Sequence, residues 1–191
     1  MRLVAVAAAA VMGVAVLAGC SDGEQANETL PSTSLSGSAE PSETLQPLGP
    51  PDLPMPDEAR EMTPAGAEAF IRYYMDVYNL AQESMNAQYL HEFSRGCDTC
   101  DRLANTIDED VTAGYEYEGG EVSTDYSQAI VEKGRAELVF SITQRSLRVL
   151  GPDGQVLDGL TFAERRSPGC GAFLSWVDTT SSWVITQWDV N

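Results

Sequence analysis

Beyond position 20, three cysteines and one histidine are the residues best suited to redox, nucleophilic or metal chemistry. Cys97 and Cys100 form a Cys-x-x-Cys motif, a spacing found in structural disulfides, redox dithiols and zinc sites. The acidic neighbours Asp98 and Asp101 disfavour the thiolate that redox chemistry needs. In an exported protein such a pair is normally oxidised. We therefore predict a structural disulfide, with redox activity and metal binding as alternatives.

For the other two residues of this set, His91 and Cys170, the sequence shows no motif that would identify a catalytic or metal-ligating partner. His91 is the only histidine, and after residue 21 no serine lies in the glycine pattern of a nucleophile elbow that would use it. A zinc site made of His91 and the three cysteines has suitable ligand types, but only the Cys-x-x-Cys spacing supports it. Cys170 lies between two glycines, which give its backbone unusual freedom. A reactive thiol, an intermolecular link and a small residue at the start of a strand are the three interpretations of it. We assign neither residue to catalysis and predict no metal site and no cofactor.

Six carboxylates lie close together near the middle of the chain. They are Asp108, Glu109, Asp110, Glu116, Glu118 and Glu121. Such a cluster could attract calcium, but the alternating spacing of an EF-hand loop is missing. Acidic runs are usually solvated helix ends and loops. We interpret this one as a solvated surface, with weak cation binding as the alternative.

The charge of the chain excludes one class of partner. The 191 residues include 11 Lys and Arg against 29 Asp and Glu, which gives a formal net charge of −18. A surface of this charge repels phosphate, so we exclude nucleic acid as a partner. For the same reason we do not expect a basic patch to attach the protein to anionic lipid.

The first 20 residues have the features of an export signal. Arg2 precedes an uncharged apolar run over 3–18, which is shorter than the roughly 20 residues of a membrane-spanning helix. The Leu-Ala-Gly-Cys sequence that ends at Cys20 resembles the lipobox of bacterial lipoproteins. The resemblance implies removal of residues 1–19 and acylation of Cys20, and two or three acyl chains anchor a protein stably. We predict a protein anchored on the outer face of the cell membrane; an uncleaved anchor and plain secretion are the alternatives.

Residues 20–60 connect this N-terminus to the folded part of the chain. They contain seven prolines, no aromatic residue and no apolar periodicity. A segment of this composition cannot bury enough apolar surface to offset the entropy of ordering, so we predict a disordered tether. About 40 flexible residues would hold the next domain some 35 Å from its attachment point. A polyproline ligand over 50–56 is the alternative interpretation.

After the tether, over 61–191, the hydrophobic pattern predicts an α+β domain with helices first and strands after them. Thr63 and Pro64 provide the start of a helix of about 20 residues. A short helix near 89–93 and a third over 98–114 follow. The period then changes to two, which predicts four long antiparallel strands, the second of them bent by a bulge. Their expected ranges are 122–130, 136–149, 171–178 and 182–190.

This order of elements resembles the cone-shaped, cystatin-like fold of the nuclear-transport-factor, SnoaL-like and steroid-isomerase superfamily. The resemblance implies N-terminal helices packed on a curved four-stranded antiparallel sheet. A more specific resemblance depends on a set of residues between positions 54 and 100. They are Pro54, Met55, Pro56, Ala59, Arg60, Thr63, Ala65, Gly66, Ala67, Ala69, Phe70, Tyr73, Asn79, Leu90, Cys97 and Cys100. This set is similar to a family of uncharacterised, actinobacterial, lipid-anchored proteins classed as a domain of unknown function, which has no assigned activity.

In the resembled superfamily the sheet and the long helix enclose a pocket, suited to a small apolar ligand or an isomerase-type acid and base. Aromatic residues that could line it are Tyr74, Tyr78, Tyr126, Phe140, Trp176 and Trp188. Asp125 or Asp189 could act as a general base only if it were buried with a raised pKa. Filling of the core by the same aromatic residues is the alternative.

These features together predict a non-enzymatic, lipid-anchored, extracytoplasmic module that binds a small apolar ligand or an envelope protein. Two alternatives stay open: an isomerase, cyclase or hydrolase that uses the cone pocket, and a purely structural envelope protein. An enzyme requires a buried ionisable group facing a solvent-connected cavity, whereas a binding module requires only an apolar cavity. A structural protein requires a filled cone and an exposed apolar patch.

Overall fold

A computed structural model of the chain describes residues 45–190. The predictions for the signal peptide, for Cys20 and for most of the tether lie outside the described residues. The described part forms one unit that begins at Leu45. It includes no helix long and apolar enough to cross a membrane.

Three α-helices follow a short 3-10 helix, and all three are confirmed where the sequence predicts them. The hydroxyl of Thr63 accepts a hydrogen bond from the Gly66 amide at 2.9 Å and caps the first helix, which has Pro at its first position. Met85 and Gly114, both with positive φ, end the first and third helices. The 3-10 helix spans Asp57–Arg60, and the α-helices are α1 (Pro64–Ser84), α2 (Gln88–Glu92) and α3 (Asp98–Ala113).

Seven strands form two antiparallel sheets. The strands are β1 (Glu116–Gly119), β2 (Val122–Glu132), β3 (Arg135–Gln144), β4 (Leu147–Leu150), β5 (Val156–Phe162), β6 (Arg165–Val177) and β7 (Ser182–Asp189). The larger sheet has the order β2-β3-β6-β7, and the smaller sheet has the order β1-β4-β5. The predicted α+β class, with helices against a four-stranded antiparallel sheet, is therefore confirmed.

The smaller sheet is absent from the prediction, and the single bent strand expected over 136–149 is wrong. β3 ends at Gln144, and Leu147 pairs with Gly119 on one side and Phe162 on the other. The change of apolar phase at Leu147 therefore marks a change of sheet rather than a bend within one strand. β1 and β4 have only four residues each, too few to show the alternation that identifies a strand.

A bulge in β2 reverses the faces expected for its second half. The pairing with β3 shifts between Thr124 and Tyr126, and a shift of one residue moves every later side chain to the other face of the sheet. Tyr126 is consequently 53% exposed and Ile130 is 71% exposed, whereas Ala129 packs against the core. The even-numbered side chains after the bulge therefore face outward.

The folded domain begins before residue 61, so the predicted end of the tether is too late. Met55 and Ala59 are buried in the core. The Met55 amide donates to the Leu48 carbonyl at 2.8 Å, and the Tyr73 hydroxyl donates to the Leu53 carbonyl at 3.1 Å. Few apolar side chains are enough here because backbone hydrogen bonds hold the segment together and the Tyr73 side chain attaches it to α1.

Arg60 joins the same segment to the turn between β6 and β7. Its side chain is nearly buried, and Nη1 donates to the Gln46 carbonyl at 2.7 Å. Nη2 donates to the Thr180 carbonyl at 2.7 Å, and Nε donates to the Ser181 carbonyl at 3.4 Å. One charged side chain thus connects residues that lie about 120 positions apart.

The core between the helices and the larger sheet is filled by aromatic rings. Tyr74, Phe140 and Trp188, three of the residues predicted to line a pocket, are at most 4% exposed. The ring centroid of Trp188 lies 6.4 Å from that of Tyr74 and 6.2 Å from that of Phe140. These are ordinary contact distances for packed aromatic pairs. The pocket predicted at these three residues is therefore a packed core.

Candidate ligand-binding groove

The structure does not bring the other three predicted pocket residues together. Tyr126 is exposed on the outer face of the larger sheet. Trp176 packs edge-on against Trp183, with ring centroids 5.1 Å apart. Tyr78 is half-buried in α1 and lines a different cavity, one that the sequence does not predict.

That cavity is an open groove of about 660 Å³ between α1, α3 and the smaller sheet, which we call the α3 groove. Its volume lies within the range of small-molecule sites in proteins. Six aliphatic or aromatic side chains form its apolar surface. They are Leu103, Ile107, Leu147, Val149, Leu160 and Phe162.

Regular spacing within each element explains why these side chains share one surface. Leu103 and Ile107 are four residues apart on α3 and therefore lie on the same face of the helix, on successive turns. Leu160 and Phe162 are two residues apart on β5 and point to the same side of the strand. Phe162 is directly paired with Leu147 of β4, and its side chain is 47% exposed. The groove thus holds apolar surface that the fold itself leaves partly open.

Glycine allows β1 to approach the start of β4 closely within the smaller sheet. Gly119 has a φ of +78°, and a Cβ atom there would lie 2.3 Å from the carbonyl oxygen of Ser146. The next amide, that of Gly120, donates to the same carbonyl at 2.9 Å. A side chain at Gly119 would therefore separate β1 from the start of β4, which carries Leu147 into the groove.

Two arginines line the α3 groove in an otherwise acidic protein. Residues 45–190 have 24 acidic against 10 basic side chains, a difference of −14. Arg102 and Arg165 are both exposed, and neither forms an ion pair within this part of the chain. The four ion pairs found there are His91–Asp108, Lys133–Glu132, Arg148–Glu118 and Arg166–Asp125. The groove therefore offers two guanidinium groups beside an apolar surface.

A hydrogen-bonded pair, Asp110 and Tyr117, also lines the groove. The Tyr117 hydroxyl donates to Oδ2 of Asp110, and both side chains are half-buried. Burial raises the pKa of Tyr117, and the hydrogen bond and the negative charge of Asp110 raise it further. Tyr117 is therefore a neutral donor at physiological pH, and Oδ2 of Asp110 is engaged as its acceptor.

Alkaline titration provides a test of tyrosine burial. Burial raises the pKa of Tyr73, Tyr74 and Tyr117 above the value of about 10 that unfolded chains have. Above about pH 10 the folded protein then holds more protons than the unfolded chain. The contribution of these tyrosines to the free energy of unfolding is therefore fully present below that pH and is lost as the pH rises. We expect phenolate absorbance from these residues to appear together with loss of near-ultraviolet circular dichroism. Titration of all seven tyrosines near pH 10 without unfolding would contradict this burial.

The predicted disulfide is confirmed, and the remaining cysteine lies apart from it. Cys97 and Cys100 are bonded at the start of α3, with a sulfur–sulfur distance of 2.04 Å, and both are buried. Cys170 is buried in β6, with its thiol directed at the Ser167 carbonyl at 3.8 Å. The Cys-x-x-Cys motif thus closes the first turn of the helix that forms one wall of the groove.

The histidine and the acidic residues are placed as surface groups. Nε2 of His91 lies 2.9 Å from Oδ2 of Asp108, and both side chains are exposed. Asp125 accepts a hydrogen bond from Thr143, and Asp189 accepts one from the amide of Gln187, both at exposed positions. No cluster of three His, Cys, Asp or Glu side chains within residues 45–190 could hold a metal ion. Asp125 and Asp189 thus lie at exposed positions, whereas the general-base hypothesis required a buried acid.

The groove is absent from the sequence prediction, although one local signal for it is present. A Gly-Pro-Asp-Gly turn begins at Gly151, and apolar residues alternate before it at Leu147 and Val149 and after it at Leu160 and Phe162. Two alternating runs around such a turn indicate a hairpin. Interpreting 147–162 as a hairpin would have placed these four side chains on one face.

Comparison with solved structures gives matches of low sequence identity. The intermembrane space region of chloroplast protein ARC6 matches 68% of this chain and 97% of its own, at 20% identity and a TM-score of 0.47. A putative calcium/calmodulin dependent protein kinase II association domain from Xanthomonas campestris matches over 66% of this chain and 84% of its own length, at 10% identity and a TM-score of 0.41. An uncharacterised protein with a cystatin-like fold from Caulobacter vibrioides matches over 63% of this chain and 87% of its own length, at 11% identity and a TM-score of 0.35.

Comparison at the level of sequence is more specific. No curated protein matches the chain. One family model, described as a family of unknown function (DUF6318), matches residues 50–157, which is more than half of the 191 residues. The matched range includes all three helices and Arg102, and it ends before Phe162 and Arg165. The resemblance to a family of unknown function is thus confirmed, and the chain belongs to the DUF6318 family.

Proposed function

We propose that this chain is a lipid-anchored, extracytoplasmic lipoprotein that binds a small apolar ligand in the α3 groove. The observation that carries the proposal is the groove itself, an open volume of about 660 Å³ with six apolar side chains on its walls. Covering such surface with a ligand gains roughly 25 cal/mol for each Å² removed from water. The partly exposed side chains of Leu147, Leu160 and Phe162 are where that gain is available.

The polar groups of the groove favour binding over catalysis. The Asp110 carboxylate already accepts the Tyr117 hydroxyl, and the pKa of that hydroxyl is raised, which disfavours its ionisation. A general base must be able to accept a proton from a substrate near neutral pH. Arg102 and Arg165 are permanent cations that can bind but cannot exchange protons there. We therefore favour a binding module over an enzyme.

The location follows from the N-terminus, where the apolar run and Cys20 match the pattern of an exported and acylated protein. We propose cleavage before Cys20 and acylation of that residue, as in the actinobacterial lipid-anchored proteins that the sequence resembles. Two or more acyl chains would hold the acidic domain at a membrane whose anionic surface repels it. The residues between Cys20 and Leu45 then separate the groove from the bilayer.

The substitution Cys20→Ala should release the protein from the membrane. We expect the unaltered chain to sediment with membranes and to show an acylated cysteine at its N-terminus by mass spectrometry. The variant should lack the mass of the acyl chains. We expect it either in the soluble fraction or as an uncleaved precursor that still carries residues 1–19. Cys170→Ala is the matched control and should keep the anchor. An unmodified Cys20 at the mature terminus would refute the anchor.

Photoaffinity labelling tests the binding proposal. A neutral diazirine analogue of hexadecanol is irradiated with the full-length chain, and the labelled peptides are identified by mass spectrometry. We expect labelling within 147–162 and on α3, reduced by excess unlabelled hexadecanol. Labelling confined to residues 1–44 or to the outer face of the larger sheet would refute a ligand site in the groove.

An envelope protein partner is the second candidate function, and a separate surface favours it. Tyr126, Ile130, Val139 and Phe173 are each at least 43% exposed. They lie at diagonal positions on β2, β3 and β6 and form one apolar patch on the outer face of the larger sheet. Crosslinking through a photoreactive amino acid at position 139, in cells, would identify such a partner.

A further inference from the structure

The arginines of the α3 groove carry information about the ligand beyond its apolar character. From their position we infer that the ligand is an anionic amphiphile, a single apolar chain whose carboxylate or phosphate group is bound by Arg102 and Arg165. This inference depends on the proposed function of the groove. It adds the charge of the ligand and the direction in which it enters.

Neither guanidinium has a fixed role in the fold. Arg102 and Arg165 form no ion pair and no side-chain hydrogen bond in the described part of the chain. Arg60, in contrast, is nearly buried and satisfied by three carbonyls, and Arg166 lies 3.7 Å from Asp125. The groove arginines therefore keep all their donors available, although acidic residues outnumber basic ones in this domain.

Guanidinium groups suit an anionic head group in both chemistry and geometry. Their planar set of donors matches carboxylate and phosphate oxygens, and they bind such groups with paired hydrogen bonds. The neighbouring apolar walls, among them Leu103 beside Arg102, exclude water on one side and strengthen the attraction. An apolar chain lying along the groove with its anionic end at the arginines satisfies both kinds of surface.

The acidic residue of the groove gives the ligand a direction. Asp110 lies eight residues after Arg102 on α3, which is two turns and about 12 Å along the helix. Tyr117 fixes the Asp110 carboxylate in place by a hydrogen bond. A negative head group at that end of α3 would be repelled, whereas at Arg102 it is attracted. The apolar chain therefore extends from Arg102 toward Asp110.

Competition between three amphiphiles of equal chain length tests the inference. Hexadecanoate, hexadecyl phosphate and hexadecanol compete with the diazirine probe on the full-length chain, and labelling within 147–162 is measured. We expect at least one of the two anions to compete about 10-fold more strongly than hexadecanol. In the variant with Arg102→Gln and Arg165→Gln this preference should disappear, while hexadecanol should still compete with the probe. Arg166→Gln is the matched control, since that side chain faces Asp125, and it should keep the preference.

The outcomes separate the inference from the proposed function. All variants share residues 1–44, so any probe taken up there contributes equally to each of them. Equal competition by the anions and by hexadecanol overturns the anionic ligand but leaves an apolar site in the groove. Absence of competable labelling from the groove with all three compounds overturns both. An anion preference that survives the double substitution overturns the role of these arginines.

Discussion

Replacing Phe162 by Asp should weaken the binding of an apolar ligand to the α3 groove by at least about 10-fold, which corresponds to roughly 1.4 kcal/mol. Phe162 lies opposite Leu147 in the smaller sheet and contributes a half-exposed ring to the groove. A carboxylate at this position has to lose water when an apolar chain covers it, and that loss opposes binding. An anionic ligand should be affected even more because of charge repulsion.

The matched control for this substitution is Phe173→Asp. The two phenylalanines are similarly exposed, 47% for Phe162 and 43% for Phe173, and both lie on strands. Phe173 lies on the outer face of the larger sheet, so its replacement should leave groove binding unchanged. Thermal unfolding of both variants shows whether each is folded at the temperature of the binding assay. Equal loss of binding in the two folded variants, or none in either, would be incompatible with a groove site.

Replacing Arg60 by Ala should lower the free energy of unfolding by about 3 kcal/mol, a large fraction of the stability of a domain this size. The nearly buried guanidinium donates hydrogen bonds to the carbonyls of Gln46, Thr180 and Ser181. Its removal leaves these three partly buried hydrogen bonds unmade and removes the side-chain contacts between the N-terminal segment and the β6–β7 turn.

Urea unfolding followed by tryptophan fluorescence measures the effect of Arg60→Ala, because Trp183 is fully buried near this segment, where its indole donates to the Glu61 carbonyl at 2.9 Å. Arg72→Ala is the control: that side chain is exposed, with one hydrogen bond to Ser127 at 3.2 Å, and we expect a change within about 0.5 kcal/mol. Comparable destabilisation by the two substitutions would show that the three carbonyl contacts of Arg60 contribute little.

The helices could be predicted because their signals are local. The cap at Thr63, the proline after it and the stop at Gly114 each involve residues within one turn of the helix end. The apolar stripe of α1 likewise repeats within the helix itself. Such signals are complete in a short stretch of sequence and do not depend on what the rest of the chain does.

The groove could not be predicted in the same way because it depends on long-range pairing. Leu147 pairs locally with Phe162, but its second partner in the smaller sheet is Gly119, which precedes the whole of β2 and β3 in the chain. In the sequence, Leu147 and Val149 are equally compatible with a continuation of β3 toward the core. The bulge at Tyr126 is a similar case, since it reversed the face of a residue assigned to the pocket.

The predicted pocket failed for a reason of packing. Tyr74, Phe140 and Trp188 have the composition of a ligand site, but they contact one another and leave the core filled. Aromatic residues in a sequence indicate burial, and only coordinates show whether they surround a space or occupy it. The space lies instead between α1, α3 and the smaller sheet, where several partly exposed side chains form the walls.

A crystal structure of the protein with hexadecanoate tests the central claim most directly. We predict an acyl chain in the α3 groove, in contact with Leu147 and Phe162, and a carboxylate within hydrogen-bond distance of Arg102 or Arg165. The end of the chain should point toward Asp110. Hexadecanoate bound only on the outer face of the larger sheet, or a groove without ligand at saturating concentration, would contradict the account.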